Sequence, residues 1–173
     1  MDKPPPLERL AAWVRGHPFG FDVALAGAAV LFTVLLPIGK LHVSGQEVLV
    51  GLLLTVPIAW RRRAPVPAAA VVTSAGLLEL LVVPDLLPAA VAVLVVIYAL
   101  AAYAPRWASR AGLAAGLVGA VLAGLRYFSA EASDALPVTI GSMGVAAVAA
   151  WALGDLRRAR VQEETSMPAP VRR

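Results

Sequence analysis

The chain has 173 residues, of which 60% are apolar and only 15% are charged, and its mean hydropathy is +0.78. These values exclude an ordinary water-soluble domain. They leave room for five or six membrane spans of about 20 residues, but not for a folded extramembrane domain of about 100 residues. The net charge of +4 comes from short basic clusters between apolar runs, which favours positive-inside topology in a lipid bilayer over nucleic-acid binding. Cysteine is absent, which excludes disulfides, thiolate metal sites and thiol catalysis.

The N-terminal segment, residues 1–19, is predicted to lie on the cytoplasmic surface of the membrane. Leu7, Leu10 and Val14 recur at helical spacing with charged residues on the other faces, which is typical of a short interfacial helix. A secretory signal peptide is the rival interpretation. It is disfavoured because the apolar run after Pro18 is too long.

Six apolar stretches follow and predict an all-α integral membrane bundle of six transmembrane helices with both termini in the cytoplasm. The predicted spans are residues 20–38, 43–60, 66–83, 86–103, 111–128 and 137–153. The second is short, because its clean apolar stretch covers only about 20 Å and Pro57 would kink it. Counting back to Val43 gives a length that can cross a locally thinned bilayer. Residues 154–173 are predicted to be a short cytoplasmic tail.

Three clusters of basic and aromatic residues determine the predicted orientation. Cytoplasmic loops of membrane proteins carry an excess of Lys and Arg, and Trp and Tyr prefer the level of the lipid headgroups. In the six-span layout only Lys40 and Arg126 of the 15 basic residues lie on the outer side. The predicted inner anchors are Trp60, Arg61, Arg62, Arg63, Tyr103, Arg106, Trp107, Arg157 and Arg158. The predicted localisation is therefore the plasma membrane, as a multi-pass protein.

Small residues recur every four positions in the fifth predicted span, at Gly112, Gly116, Ala120 and Gly124. Such a row lets another helix approach closely. Similar rows occur in the first and sixth spans. Packing within the chain is the main interpretation, and a homodimer face on span five or six is the second.

Two ionisable residues inside the predicted spans are candidates for function, since charge within a membrane is costly. Glu79 and Arg126 each lie about one turn from the outer end of a span. One hypothesis is an ion pair that lines an outward-facing pocket for a ligand, a lipid headgroup or a proton. The alternative is that both side chains extend to the outer interface independently.

Catalytic and cofactor motifs are not found. The histidines, His17 and His42, fall on opposite sides of the membrane in this layout, and no paired carboxylates, nucleophile with a base, or metal-ligand spacing occurs. No phosphate-binding glycine loop is present. We therefore predict no catalytic residue, no cofactor, no metal site and no enzymatic activity.

The sequence resembles the N-terminal membrane-sensor region of actinobacterial sensor histidine kinases related to the DesK and NarX type. The resemblance rests on His17-Pro18 followed by Asp22, on LTVPIAWRRRAP at 54–65, on VVIYALAAYAPR at 95–106 and on WALGDLRRAR at 151–160. It extends over nearly the whole chain to about Glu164. It implies a membrane sensor or signal-transducing domain, with a homodimer, a kinase or a response regulator as candidate partners.

The chain departs from that family after Glu164. Such kinases continue into a long cytoplasmic helix, a dimerisation helix with a phosphoacceptor histidine and an ATP-binding domain, whereas here TSMPAP follows at 165–170. Neither a phosphoacceptor segment nor a nucleotide-binding motif occurs, so the resemblance implies a truncated sensor without kinase activity. The alternatives are a small multi-pass transporter and a membrane assembly subunit.

Overall fold

A computed structural model describes residues 44–128 and 135–166, together with Gly27, Ala28 and Leu31. These residues form helices and connecting turns and contain no strand, which confirms the predicted all-α class. Predictions for the N-terminal segment, for most of span 20–38, for Lys40 and for both histidines lie outside the described residues. So do those for positions after Ser166.

Five α-helices follow one another in residues 44–128 and 135–166. They are α1 (Gly45–Thr55), α2 (Pro65–Val82), α3 (Val91–Tyr103), α4 (Arg106–Phe128) and α5 (Ala135–Ser166). Short 3₁₀ helices at Val56–Trp60 and Pro88–Ala90 extend α1 and lead into α3. Among the residues that the structure describes, three helices are long and apolar enough to cross a membrane, namely Pro65–Val82, Arg106–Phe128 and Leu136–Glu163, while Gly45–Trp60 and Pro88–Tyr103 are apolar but shorter.

Helix α1 begins at a capping box and ends at a proline. The hydroxyl of Ser44 accepts from the amide of Glu47, and the carboxylate of Glu47 accepts from the amide of Ser44. At the other end the buried hydroxyl of Thr55 donates to the carbonyl of Gly51, 2.7 Å away. Pro57 lacks an amide hydrogen, and the chain tightens into a 3₁₀ helix there.

The connection between α3 and α4 is shorter than the predicted loop of residues 104–110. Ala104 precedes a proline, which disfavours the helical conformation, and its backbone is extended, so α3 ends there. The carbonyl of Pro105 then accepts from the amide of Ser109, and α4 begins at Arg106, five residues before the predicted span. The arginine at this position therefore starts a helix.

Helix α5 is longer than the predicted sixth span of residues 137–153. It runs for 32 residues and includes most of what was predicted to be a tail. The sequence from Asp155 to Ser166 contains neither glycine nor proline and is rich in good helix formers, so nothing in it terminates the helix. At 1.5 Å per residue the helix is about 48 Å long, which exceeds the hydrocarbon thickness of about 30 Å.

The core of the bundle is formed around α3. Ala92, Val96, Ala99 and Leu100 of this helix are buried, and α1, α2, α4 and α5 all pack against it. The outward faces of α4 and α5 are apolar as well as exposed: Val118 is 58% exposed and Val145 70% exposed. Such surfaces are unfavourable in water and suit contact with lipid. Helix length and apolar exposure together indicate a membrane protein.

Candidate functional site

A cavity of about 470 Å³ lies between α2, α3, α4 and α5. Thr73 and Glu79 are the polar side chains of its lining, and the remaining lining residues are aliphatic residues, glycines and Met143. Leu77, Val91 and Val118 line the cavity and are also well exposed, so it opens sideways out of the bundle. Its volume is within the range of about 300–1,000 Å³ that is typical of small-molecule sites.

Glu79 closes one end of this cavity. Its side chain is only 3% exposed, and its Oε1 accepts a hydrogen bond of 2.7 Å from the amide of Leu87 in the turn between α2 and α3. Leu86 and Ala90 of that segment also line the cavity. The carboxyl of Glu79 therefore holds the loop that forms the cavity end, and we call this region the Glu79 end.

Arg126 and Tyr127 of α4 bind the last carbonyls of α2 at the same end. The Nε of Arg126 donates to the carbonyl of Leu80 at 3.2 Å, and the hydroxyl of Tyr127 donates to the carbonyl of Glu79 at 3.2 Å. The carbonyl of Glu79 also accepts from the amide of Val83, whereas the carbonyl of Leu80 lies in the last turn of α2, where a helix leaves carbonyls without an intrahelical partner. In the described part of the chain the two side chains that one hypothesis paired bind different groups: the carboxyl of Glu79 turns toward Leu87, while the guanidinium of Arg126 lies on the exposed seam between α2 and α4.

At the opposite end of the bundle, two arginines of α5 bind the C-terminal part of α3. We call this region the arginine end. Arg158 donates from Nη2 to the carbonyls of Leu100 and Ala104, at the C-terminus of α3. A guanidinium at a helix C-terminus also interacts favourably with the helix dipole. Arg157 donates to the hydroxyl of Tyr98 at 3.2 Å and lies 5.2 Å from the ring centroid of Tyr103.

Helices α3 and α5 approach each other closely at Gly154. A Cβ added at this glycine would lie 2.5 Å from the carbonyl oxygen of Tyr98 and 2.6 Å from the Cβ of Ala101, so a side chain requires the two backbones to separate. One turn earlier, the Nε1 of Trp151 donates to the buried hydroxyl of Ser109 on α4 at 2.9 Å. The crossing is therefore tight and is held on both sides by polar contacts.

The predicted small-residue row of α4 packs inside the bundle. A Cβ at Gly112 or Gly116 would meet the side chain of Leu100 or Ile97 of α3, and one at Gly124 would meet Ile140 of α5. Ala120 is buried. The row thus contacts α3 and α5 of the same chain, in agreement with the packing interpretation of the pattern.

The predicted interface anchors are distributed over one end of the bundle with different exposures. Trp107 is 66% exposed, Trp60 is 39% exposed and Arg106 is exposed at the first position of α4. The three consecutive arginines differ from one another: Arg61 is only 6% exposed, whereas Arg62 is half-buried and Arg63 exposed. The turn at 61–64 therefore directs one guanidinium into the protein.

Several residues of the site were not identified from the sequence. Tyr127 and Ser109 gave no signal, because a hydroxyl at a helix end looks the same in sequence whether or not it has a distant partner. The capping box at Ser44 and Glu47 was detectable from its Ser-x-x-Glu pattern. Among the residues that the structure describes, no group of three or more His, Asp or Glu side chains could hold a metal ion.

The sequence matches one protein family over residues 10–161, and this family is described as Domain of unknown function (DUF7134). The chain belongs to this family. The match includes all of α1 to α4 and most of α5, so the cavity and both ends of the bundle lie within the family domain. No curated protein and no solved structure was found to match the chain.

Proposed function

We propose that this DUF7134 protein is a multi-pass plasma-membrane sensor domain that transmits changes in helix packing through the extension of α5. The observation that supports the proposal most strongly is the continuity of α5. A single helix runs from an apolar segment, through the Gly154 crossing with α3, into the polar segment Asp155–Ser166. A change in how α3 and α5 pack would therefore move the extension as one rigid element.

The resemblance to the membrane region of sensor histidine kinases supports the same function. In such proteins the last span continues as a helix toward the output domain, and α5 has a corresponding extension. Kinase chemistry is not part of the proposal, because no catalytic residue of that family has a matching position. A kinase, a response regulator or a second copy of the chain is the proposed recipient of the signal.

The proposed topology has six spans and both termini in the cytoplasm. It is supported by the three helices of span length, by the two shorter apolar helices and by the asymmetry of basic residues. Because the chain has no cysteine, Arg63→Cys and Asp85→Cys each introduce a unique label site at opposite ends of α2. We expect a membrane-impermeant maleimide to label Asp85→Cys in intact cells and Arg63→Cys only after permeabilisation. The reverse pattern, or equal labelling of both, would contradict the topology.

Signal transmission is tested by a distance between two spin labels. Arg110→Cys on α4 and Gln162→Cys on the extension of α5 are both exposed positions in different elements of the arginine end. The protein is reconstituted into bilayers of short and of long acyl chains, because hydrophobic mismatch perturbs helix packing. We expect the distance distribution to differ between the two bilayers. An identical distribution in both would argue against a sensor that responds through helix packing.

A small transporter is the second candidate, and the cavity is the observation that favours it. Against it, the described lining offers only Thr73 and Glu79 to a polar solute, and Glu79 lies near one end of α2, whereas transporters commonly bind their substrates near the middle of the membrane. Proton uptake into sealed vesicles, followed with a pH-sensitive dye, separates the two functions. Uptake that is abolished by Glu79→Gln would support the transporter and defeat the sensor proposal. An assembly subunit would instead co-purify with a membrane partner and show neither response.

A further inference from the structure

The cavity has the dimensions and the lining of a site for one hydrocarbon chain. On α4 its lining runs from Gly112 to Ala123, which corresponds to a length of about 16 Å along the helix axis. One leaflet of a bilayer has a hydrocarbon depth of about 15 Å, half of the usual thickness of about 30 Å. A volume of 470 Å³ over that length gives a narrow, elongated cavity.

The open side of the cavity faces outward between α2 and α4. Leu77 of α2 and Val118 and Leu122 of α4 line it and are exposed, so its lateral opening is bordered by aliphatic side chains. Both helices are long and apolar enough to cross a membrane. In that setting the opening lies beside lipid acyl chains, and an aliphatic chain can enter without crossing water.

A positive charge lies above one end of the opening. Arg126 follows the lining residues Leu122 and Ala123 by one helical turn, and its Nε donates to the carbonyl of Leu80, which also lines the cavity. Among the described residues the terminal nitrogens of Arg126 donate to no protein group, and the side chain is exposed. A planar guanidinium with two available nitrogens matches the oxygens of a phosphate.

We propose that the cavity binds a phospholipid, with one acyl chain between α2 and α4 and the headgroup phosphate on Arg126. Glu79 shapes the site by holding the loop of Leu86 and Leu87 over the end of the cavity. The proposal requires that α2 and α4 cross the bilayer, as proposed above, and is independent of whether the protein signals. If the topology is wrong, the maleimide labelling of the two cysteine variants will show it. If only the lipid site is wrong, the maleimide labelling will agree with the topology and the lipid cross-linking described below will not be concentrated in the cavity.

The experiment uses the full chain in vesicles with phosphatidylglycerol that carries a diazirine near the end of one acyl chain. After photolysis, cross-linked peptides are identified by mass spectrometry. We expect labels to be concentrated in the cavity-lining parts of α2 and α4, above the level on the exposed face of α5 at Val138 and Val145. Uniform labelling of all exposed apolar faces would overturn the proposal.

Two glycine positions provide a matched pair of variants that test whether an acyl chain occupies the cavity. A Cβ at Gly119, which lines the cavity, or at Gly141, which does not, meets no atom within 4 Å. Gly119→Phe should fill the cavity and reduce its labelling to the background of the exposed faces, whereas Gly141→Phe should leave it unchanged. Gly76→Phe fills the cavity from α2 and should repeat the effect of Gly119→Phe. Unchanged cavity labelling in both filling variants would contradict the proposal.

The phosphate contact is tested on Arg126. A contact between a basic side chain and an anionic lipid contributes about 1 kcal/mol, so Arg126→Gln should reduce cavity labelling about fivefold. Arg126→Lys should retain most of it, and Arg110→Gln, at the other end of α4, should have no effect. If a diazirine fatty acid labels the cavity as strongly as phosphatidylglycerol does, and if Arg126→Gln does not change that labelling, the assignment to a phospholipid is wrong.

The predicted first span, residues 20–38, is the competing occupant. A disulfide between Gly119→Cys and Leu31→Cys tests it directly, since the natural chain has no cysteine. If this disulfide forms in high yield and cavity labelling by lipid is absent, the cavity belongs to the chain's own helix and the lipid proposal is wrong. Failure of the disulfide to form, together with concentrated lipid labelling, supports the lipid.

Discussion

The two ends of the bundle use the same kind of contact and differ in how closely the helices pack around it. At the Glu79 end, Arg126 donates to the last turn of α2, and at the arginine end, Arg158 donates to the last turn of α3. Both arginines bind carbonyls at a helix C-terminus, where the helix leaves some carbonyls without partners, and such contacts matter most where water is scarce. Beside Arg126, however, α2 and α4 leave a cavity, whereas beside Arg158 the backbones of α3 and α5 meet at Gly154.

This difference separates two roles within one bundle. A loosely packed region can accommodate a ligand, and a tightly packed crossing can transmit a displacement, because packed interfaces respond by shifting between discrete arrangements. The loose region lies at one side of α2 and α4, and the tight crossing lies where α5 leaves the apolar part of the bundle. Helix α3 contributes to both and so connects them.

The largest effect is expected from Gly154→Ala. The added Cβ would approach the backbone oxygen of Tyr98 to 2.5 Å, and because backbone cannot move aside as a flexible side chain can, we expect a cost of about 3 kcal/mol or more, at the upper end of what overpacking costs. Gly141→Ala on the same helix meets no atom within 4 Å and should have no such cost. Thermal unfolding in detergent, followed by circular dichroism, measures both. Equal loss of stability in the two variants would contradict the claim that Gly154 is tightly packed and Gly141 is not.

Arg158→Gln should have the next largest effect. It removes a charged donor from the carbonyls of Leu100 and Ala104, and such bonds contribute about 1.5–3 kcal/mol. Arg160→Gln is the matched control, since Arg160 is exposed on the same helix and its side chain makes no hydrogen bond to another described residue. Chemical denaturation in mixed micelles gives the free energy of unfolding of each. If Arg160→Gln destabilises as much as Arg158→Gln, the effect is one of net charge and the helix-end contact is unimportant.

At the Glu79 end, the comparison of Glu79→Leu with Glu79→Gln tests whether the hydrogen bond between the buried carboxyl and Leu87 stabilises the loop. The amide of Gln can still accept the hydrogen bond from Leu87, while Leu leaves that buried amide without a partner at a cost of about 1–3 kcal/mol. We expect Glu79→Leu to unfold at lower denaturant concentration than Glu79→Gln. Identical unfolding would show that the bond to Leu87 does not stabilise the loop.

The smallest effect is expected from Trp151→Phe. It removes the 2.9 Å bond to Ser109 and keeps most of the apolar ring, so we expect a loss of about 1 kcal/mol. Ser109→Ala and the double variant complete a cycle, in which the double variant should lose less than the sum of the two single losses. Additive losses would mean that the two side chains stabilise the bundle independently.

The helices could be predicted from the sequence largely because apolar runs and their boundaries are local signals. Pro105 and the basic residues marked the turn between α3 and α4, although α4 began earlier than the loss of apolar character suggested. The end of the apolar run placed the end of the sixth span at residue 153 but not the end of the helix, which continues to Ser166 because the segment after Asp155 has no residue that ends a helix. Local composition therefore located the helices but not their full lengths.

The candidate site was less predictable, since it depends on contacts between distant residues. Charge within an apolar helix singled out Glu79 and Arg126 as candidates, and the structure brings them to one end of the bundle. It did not indicate that each would bind backbone groups, because that depends on the position of the turn at Leu87 and on the end of α2. The cavity has no sequence signature at all, as it arises from how four helices diverge.

The most direct test of transmission through α5 is the distance between spin labels at Arg110→Cys and Gln162→Cys, measured by pulsed electron paramagnetic resonance. The two labels are introduced into the cysteine-free chain, alone and together with Gly154→Ala or Gly141→Ala. We predict that Gly154→Ala shifts the distance distribution by about 2 Å or more, as expected for a displaced helix crossing, and that Gly141→Ala leaves it unchanged. An unchanged distribution in a folded Gly154→Ala protein would contradict the proposal that the crossing controls the extension.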